Sequence, residues 1–350
     1  MADDPLLAKA LVLQGGGALG AFALGAIREL YGPHGWRPDL ISGVSIGAIT
    51  AVLLARPLRR EPLEALEAFW KKVTVEAPWL AASFQRYASA FGNPAFFSPR
   101  MDIWDAARWI SLYDTAPLRR TLAELVDVAA LADPDARPRL VVTATDIAAG
   151  QIHSFDSVTE PGGLTLDHIL ASGSLPPSFP MTTVRDTAYW DGGLFDNTPL
   201  GDVLSLLSRI CDPEEREVVV VNLFPNIGKV PTNLSEVSQR VLNLTFANKT
   251  QSDLKLLDRF NAVSVLLDKI RSEKDWKDLA ESPEFAKADK NYVAVPRVLS
   301  ITRSHEAGNG AWTDFSPGGI EALAKEGALA AHKEIKDPWM NCGVRRDAPH

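Results

Sequence analysis

Twice within the first 55 residues, a short apolar run ends at a small-residue turn and passes straight into an apolar helical run. This repetition constrains the fold more than any other feature. The first unit is Ala10–Leu13, then Gly15-Gly16-Gly17, then helical periodicity from Ala18 to Leu30; the second is Asp39–Val44, a turn at Ser45, then Ile46–Leu54. Consecutive strand-turn-helix units predict a parallel sheet covered by helices, because a right-handed crossover returns each new strand beside the last. Leu140–Asp146 and Val218–Phe224 are further buried-strand candidates, rich in β-branched residues. Shorter β runs at Gln151–Phe155 and Thr183–Trp190, flanked by turn residues, predict hairpins at one edge. The expected fold is three-layer α/β/α with a central, mixed, mostly parallel sheet over residues 8–225.

From Thr232 to about Lys290 the pattern changes to long amphipathic helices, and a strand at Tyr292–Ile301 and a helix at Ser316–Ile335 would return the chain to the core. Residues 226–350 are therefore expected to be a C-terminal helical extension packing on the core. A net charge of -8 argues against nucleic acid, which needs clustered bases to displace counterions. Acids occupy the start of the chain where a secretion signal would carry bases, and no apolar run approaches bilayer length, so membrane contact is expected to be peripheral. Cys211 and Cys342 form neither a metal-ligand spacing nor a disulfide framework, which suits a reducing, cytoplasmic setting.

Gly43-Val44-Ser45-Ile46-Gly47 is a G-x-S-x-G between an apolar run and a helix, the context a nucleophilic serine requires. A serine capping the helix at Ile46 is the plainer reading of the string alone. The Gly15-Gly16-Gly17 loop opens the first helix, where its N–H groups can converge on an anion such as the oxygen of a tetrahedral intermediate. Gly15, Gly17 and Gly20 also fit G-x-G-x-x-G, the dinucleotide fingerprint. That reading needs an acid at the end of the second strand, whereas Asp39 lies at its start and Ser45 follows its end.

A triad would need a histidine, and of His34, His153, His168, His305, His332 and His350 only His305, in a polar loop after a strand, is a candidate. The better base is Asp191, in Tyr189-Trp190-Asp191-Gly192-Gly193, where aromatics can exclude water and raise the carboxylate while glycines admit a partner. A turn aspartate is the alternative. Asp146, Asp196 and Asn197 read as turn and cap residues.

Four blocks in order, GGGALG at 15–20, GVSIG at 43–47, ASGSLPPSFP at 171–180 and DGGLFDNTP at 191–199, resemble the patatin-like phospholipase family. The C-terminal helical region is similar to an extra segment of some bacterial relatives. The resemblance implies a Ser–Asp dyad, with Ser45 as nucleophile and Asp191 as base, an oxyanion hole at Gly15, Gly16 and Gly17, and no metal or organic cofactor. It implies a lipid or acyl-ester substrate cleaved through an acyl-enzyme. Members often carry Arg or Lys after the glycine triplet, where this chain has Ala18. A carboxylesterase or thioesterase, and a catalytically silent lipid-binding protein, are the competing readings. Aromatics between Phe69 and Tyr113 suit either a lid or acyl channel, or helical core.

Overall fold

A computed structural model describes residues 7–80, 82–85, 87–207, 216–291, 295, 297–304 and 311–336. Its principal strands are β1 (Lys9–Leu13), β2 (Leu40–Gly43), β3 (Arg139–Asp146), β4 (Gln151–Asp156), β5 (Thr182–Val184), β6 (Thr187–Asp191), β7 (Glu217–Asn222) and β8 (Arg297–Thr302). They form one sheet in the order β8-β7-β1-β2-β3-β6-β5, with β4 also paired to β3. The run from β8 to β3 is parallel, while β4, β5 and β6 pair antiparallel. The sheet is thus mixed and mostly parallel, as the turn spacing predicted.

The principal helices are α1 (Ala21–Tyr31), α2 (Ile46–Ala55), α3 (Pro62–Val73), α4 (Ala116–Leu125), α5 (Leu166–Ser172), α6 (Leu200–Leu206), α7 (Leu234–Ser272) and α8 (Pro317–Lys336). Alternation along the strands divides the core into two layers, since successive side chains leave a strand on opposite faces. Leu11, Leu13, Ile41, Val142, Val219 and Val221 join residues of α1, α2, α3 and α8 on one face. Ala10, Val12, Leu40, Val141, Val218 and Val220 meet Leu200, Val203 and Leu204 of α6 on the other. Both faces of the central strands are buried, which explains their continuous apolar composition.

The expected last strand is β8, in register with β7 from Arg297 opposite Glu217 to Thr302 opposite Asn222, so the C-terminal third supplies an edge of the sheet. Residues 292–294 and 296, with which that run was expected to begin, lie outside the described residues, as do Cys211, Cys342, His305 and His350. Helix α8 packs along α1 with the chains running the same way, and small residues let the backbones touch. A Cβ at Gly25 would fall 1.7 Å from the Ala324 carbonyl oxygen, and one at Gly327 would fall 1.9 Å from that of Phe22. Gly327→Ala is therefore expected to cost about 1–3 kcal/mol despite a helix-propensity gain of about 1 kcal/mol. A lower urea midpoint with unchanged m-value is the result that checks it.

Candidate active site

The sequence carries β2 through Gly43 and Val44 into Ser45, and α2 begins at the next residue. Ser45 has φ 56° and ψ −123°, a conformation that costs a non-glycine residue about 1–3 kcal/mol and persists only where surroundings enforce it. Here they do. The Ser45 N–H donates to Ser172 Oγ at 2.9 Å, and Ser172 Oγ donates to the Thr143 carbonyl at 2.7 Å. The Ser45 carbonyl accepts from the N–H groups of Ala48 and Ile49 and so starts α2. The turn is fastened to β3 and α5, and the half-buried side chain points at a carboxylate.

That carboxylate is Asp191, the last residue of β6, paired opposite Ala144 of β3. Its N–H donates to the Ser174 carbonyl at 3.0 Å, and its carbonyl accepts from Thr145 Oγ1 at 2.9 Å. The side chain accepts from the Gly193 N–H at 2.8 Å and from the Ser45 side chain. Asp191 is 2% exposed. Burial raises its pKa from 3.8 to about 6, against the opposing pull of the hydrogen bonds from Ser45 and Gly193. Ser45 and Asp191, predicted from separate motifs, are thus brought together.

The glycine loop meets the same point. Gly15 has no room for a side chain, since a Cβ would lie 2.9 Å from Ser45 Cβ and 2.6 Å from Asn197 Oδ1. Asn197 clamps this residue, accepting from its N–H at 3.1 Å through Oδ1 and donating to its carbonyl at 3.2 Å through Nδ2. The Gly15 N–H is therefore already committed to Asn197, although Gly15 lines the cavity beside Gly16 and Gly17. Gly16 and Gly17 line the cavity, and their N–H groups have no hydrogen-bond partner among the described residues. Gln14 anchors the loop from below: Nε2 donates to Thr198 Oγ1 at 2.8 Å, and Oε1 accepts from the Leu223 N–H at 2.7 Å.

Asn197 does not serve as the cap its sequence setting suggests. Asp196 keeps the turn role by accepting from the Thr198 N–H at 3.0 Å, and Pro199 occupies the N-cap position of α6. Ser172 and Asn197 are the two residues of the site that sequence reasoning left structural. Their partners lie 127 and 182 residues away, so no local signal marks them. Asp146 forms the expected turn, accepting from Ala148 and Ala149 N–H groups. Asp39, the acid weighed for a ribose, accepts from the N–H groups of Ala8 and Lys9 and so fixes the start of β1.

Ser45 and Asp191 open on a cavity of about 420 Å³. Phe96, Phe97, Tyr113, Phe179 and Phe315 wall it, with Phe97 and Tyr113 ring centroids 4.8 Å apart and Phe96 and Phe315 5.5 Å apart. The C-terminal third adds Leu242 and Phe246 of α7 and the turn at Trp312 and Thr313. Among the described lining residues Asp191 and Tyr113 are the ionisable groups, and none is a metal ligand paired with another. His168 instead caps its own helix through Thr165, and its burial holds its pKa down.

The aromatics between Phe69 and Tyr113 divide three ways. Phe69 and Trp70 are core, Phe96, Phe97 and Tyr113 line the cavity, and Trp79, Phe91 and Trp104 are 79, 83 and 84% exposed. No helix of the described chain is long and apolar enough to cross a membrane.

The sequence model of a family described as patatin-like phospholipase matches residues 11–204. No curated protein matches the sequence. Among solved structures, the chain is similar to VipD from Legionella pneumophila at 17% identity and a TM-score of 0.45, covering 94% of this chain and 67% of that one. It is similar to the type III effector ExoU at 14% identity and a TM-score of 0.34, covering 95% of this chain and 53%, about half, of that one. A structure of SpcU with ExoU from Pseudomonas aeruginosa matches at 13% identity and a TM-score of 0.29, covering 97% and 89%.

Proposed function

The chain belongs to the patatin-like phospholipase family, and from that membership we propose that it hydrolyses lipid acyl esters through an acyl-enzyme on Ser45, with Asp191 as the base. The observation that carries this reading is the hydrogen bond from the strained Ser45 to a fully buried carboxylate, both lining an aromatic cavity. Asp191 takes the Ser45 proton as Oγ attacks the ester carbonyl, and returns it to the leaving alcohol when the tetrahedral intermediate collapses. It then takes a proton from the water that attacks the acyl-enzyme, and returns it to Ser45 Oγ as the second tetrahedral intermediate collapses and the fatty acid leaves. The oxyanion is held by the Gly16 and Gly17 N–H groups, one such donor being worth about 2.7–4 kcal/mol of barrier. Gly15 acts as the pivot that Asn197 holds in place.

The acyl chain lies among Phe96, Phe97, Phe179 and Phe315, where burial from water favours it by roughly 0.8 kcal/mol per methylene. We further read residues 8–225 as the catalytic core and 226–350 as the extension that completes the sheet edge and the pocket wall. Trp79, Phe91 and Trp104 are the residues proposed to touch a lipid surface peripherally, aromatics being suited to such an interface. Hydrolysis of short and long p-nitrophenyl acyl esters tests the function. Activity rising with chain length supports it, whereas binding of lipid without turnover on esters or thioesters would make the chain a silent lipid binder.

Ser172 is proposed as a positioning residue for Ser45. Ser172→Ala leaves the Ser45 N–H and the Thr143 carbonyl without their shared partner, at a cost of about 1–3 kcal/mol. The expected result is a fall in kcat of about tenfold or more with KM little changed, since about 1.4 kcal/mol of lost positioning is tenfold in rate. An equal loss in stability with kcat intact would make the residue purely structural.

A further inference from the structure

At the opposite end of α1 from the cavity, three side chains from distant parts of the sequence converge. Glu29 lies in the last turns of α1, His34 in the turn that follows, and His332 near the end of α8. His332 Nδ1 lies 2.7 Å and His34 Nε2 3.5 Å from the same oxygen, Glu29 Oε1, and all three ligand atoms lie within 4.8 Å of one another. We propose that Glu29, His34 and His332 bind a divalent transition-metal ion of the zinc class.

The donor set and spacing carry this. Two imidazoles and one carboxylate match the preference of zinc for nitrogen and oxygen donors, and three protein ligands leave a fourth position for water. Metal–ligand bonds of about 2.0–2.2 Å at tetrahedral angles place donors about 3.3 Å apart, between the two separations found. Of these two, the His332–Glu29 contact has to open by a few tenths of an ångström, and the two imidazole nitrogens start within 4.8 Å of each other. The side chains are reachable from solvent, His34 being 34% and His332 46% exposed, so an ion has an entry path.

The surroundings favour a cation. Because α1 and α8 run parallel, their C-terminal ends meet here, and both bring the negative end of a helix dipole to the site. A carboxylate at the end of α1 is unfavourable in that field alone, and a bound cation reverses the sign of the interaction. The site would staple α1 to α8, the helix that follows the Trp312 to Phe315 wall of the cavity. From Ala21 to Glu29 the helix rises about 12 Å at 1.5 Å per residue, so the ion would hold structure rather than touch an ester.

The test is calorimetric titration of the full chain, stripped with a chelator, with Zn²⁺, alongside Co²⁺ absorption and thermal melting. The expected result is one equivalent bound, a tetrahedral Co²⁺ spectrum and a higher melting temperature with metal. His34→Ala and His332→Ala should each weaken binding at least tenfold, and Glu29→Gln should weaken it while leaving the fold intact by circular dichroism. If either histidine variant loses structure, His34→Gln and His332→Gln replace them. Wild type that binds no ion, or binding that survives both histidine substitutions, overturns the proposal and leaves a hydrogen-bonded His–Glu–His contact.

Discussion

Ser45→Ala is expected to lower kcat/KM on acyl esters by at least about 10⁴-fold while the protein stays folded, because removal of an attacking hydroxyl abolishes the covalent route rather than weakening it. The fold should survive. Alanine keeps the Cβ that the turn already accommodates, and the bonds that enforce the turn run through the backbone: the Ser45 N–H to Ser172 and the Ser45 carbonyl to Ala48 and Ile49. Ester binding should persist, since the cavity wall is untouched, so KM changes little. Activity within tenfold of wild type would show that the ester is cleaved elsewhere.

Asp191→Asn is expected to separate activity from stability. Its kcat should fall by about 10²–10⁴-fold, the usual contribution of a positioned base, while the folded state becomes more stable at neutral pH. The carboxylate sits at 2% exposure, and burial raises its pKa from 3.8 to about 6. Unfolded, the group ionises near its ordinary value. Between those two values the folded protein therefore holds a proton that the unfolded chain has lost, and stability falls as pH rises through this window. Above about pH 6 the folded state carries the full cost of a buried charge, about 3 kcal/mol for the gap between 3.8 and about 6.

Asparagine removes that cost while its oxygen can still accept from the Gly193 N–H. The variant should gain up to about 3 kcal/mol at pH 8 and nothing below about pH 4, read from urea unfolding at the two pH values. Wild-type kcat/KM should show the matching profile. It is low where Asp191 is protonated, rises through about pH 6, and levels off above. A flat profile from pH 5 to 8 would remove Asp191 as the base.

The two strand-turn-helix units were legible because glycine and apolar runs are local signals, and β1, β2, β3 and β7 fall within about two residues of the runs that predicted them. Ser45 and Asp191 were legible for the same reason, each standing in a short motif whose neighbours have a conformational purpose. What failed to show depends on distance in sequence. The Asn197 amide looked like a helix cap because nothing beside it reveals Gly15, and the commitment of the Gly15 N–H follows from that one contact. Ser172 sits in a proline-rich block whose role is visible only once β3 and α5 are packed. The aromatics from Phe69 to Tyr113 could not be sorted because composition does not say which ring faces a core, a cavity or solvent. Leu242 read only as helix periodicity and Phe246 carried no signal of its own, yet both line the cavity.

The measurement that bears most directly on the account is peptide mapping after reaction with a fluorophosphonate. One adduct is predicted, on the peptide that contains Ser45, formed faster above about pH 6 than below it and absent in Ser45→Ala. An adduct on another serine, Ser172 included, or labelling that survives Ser45→Ala, would contradict it.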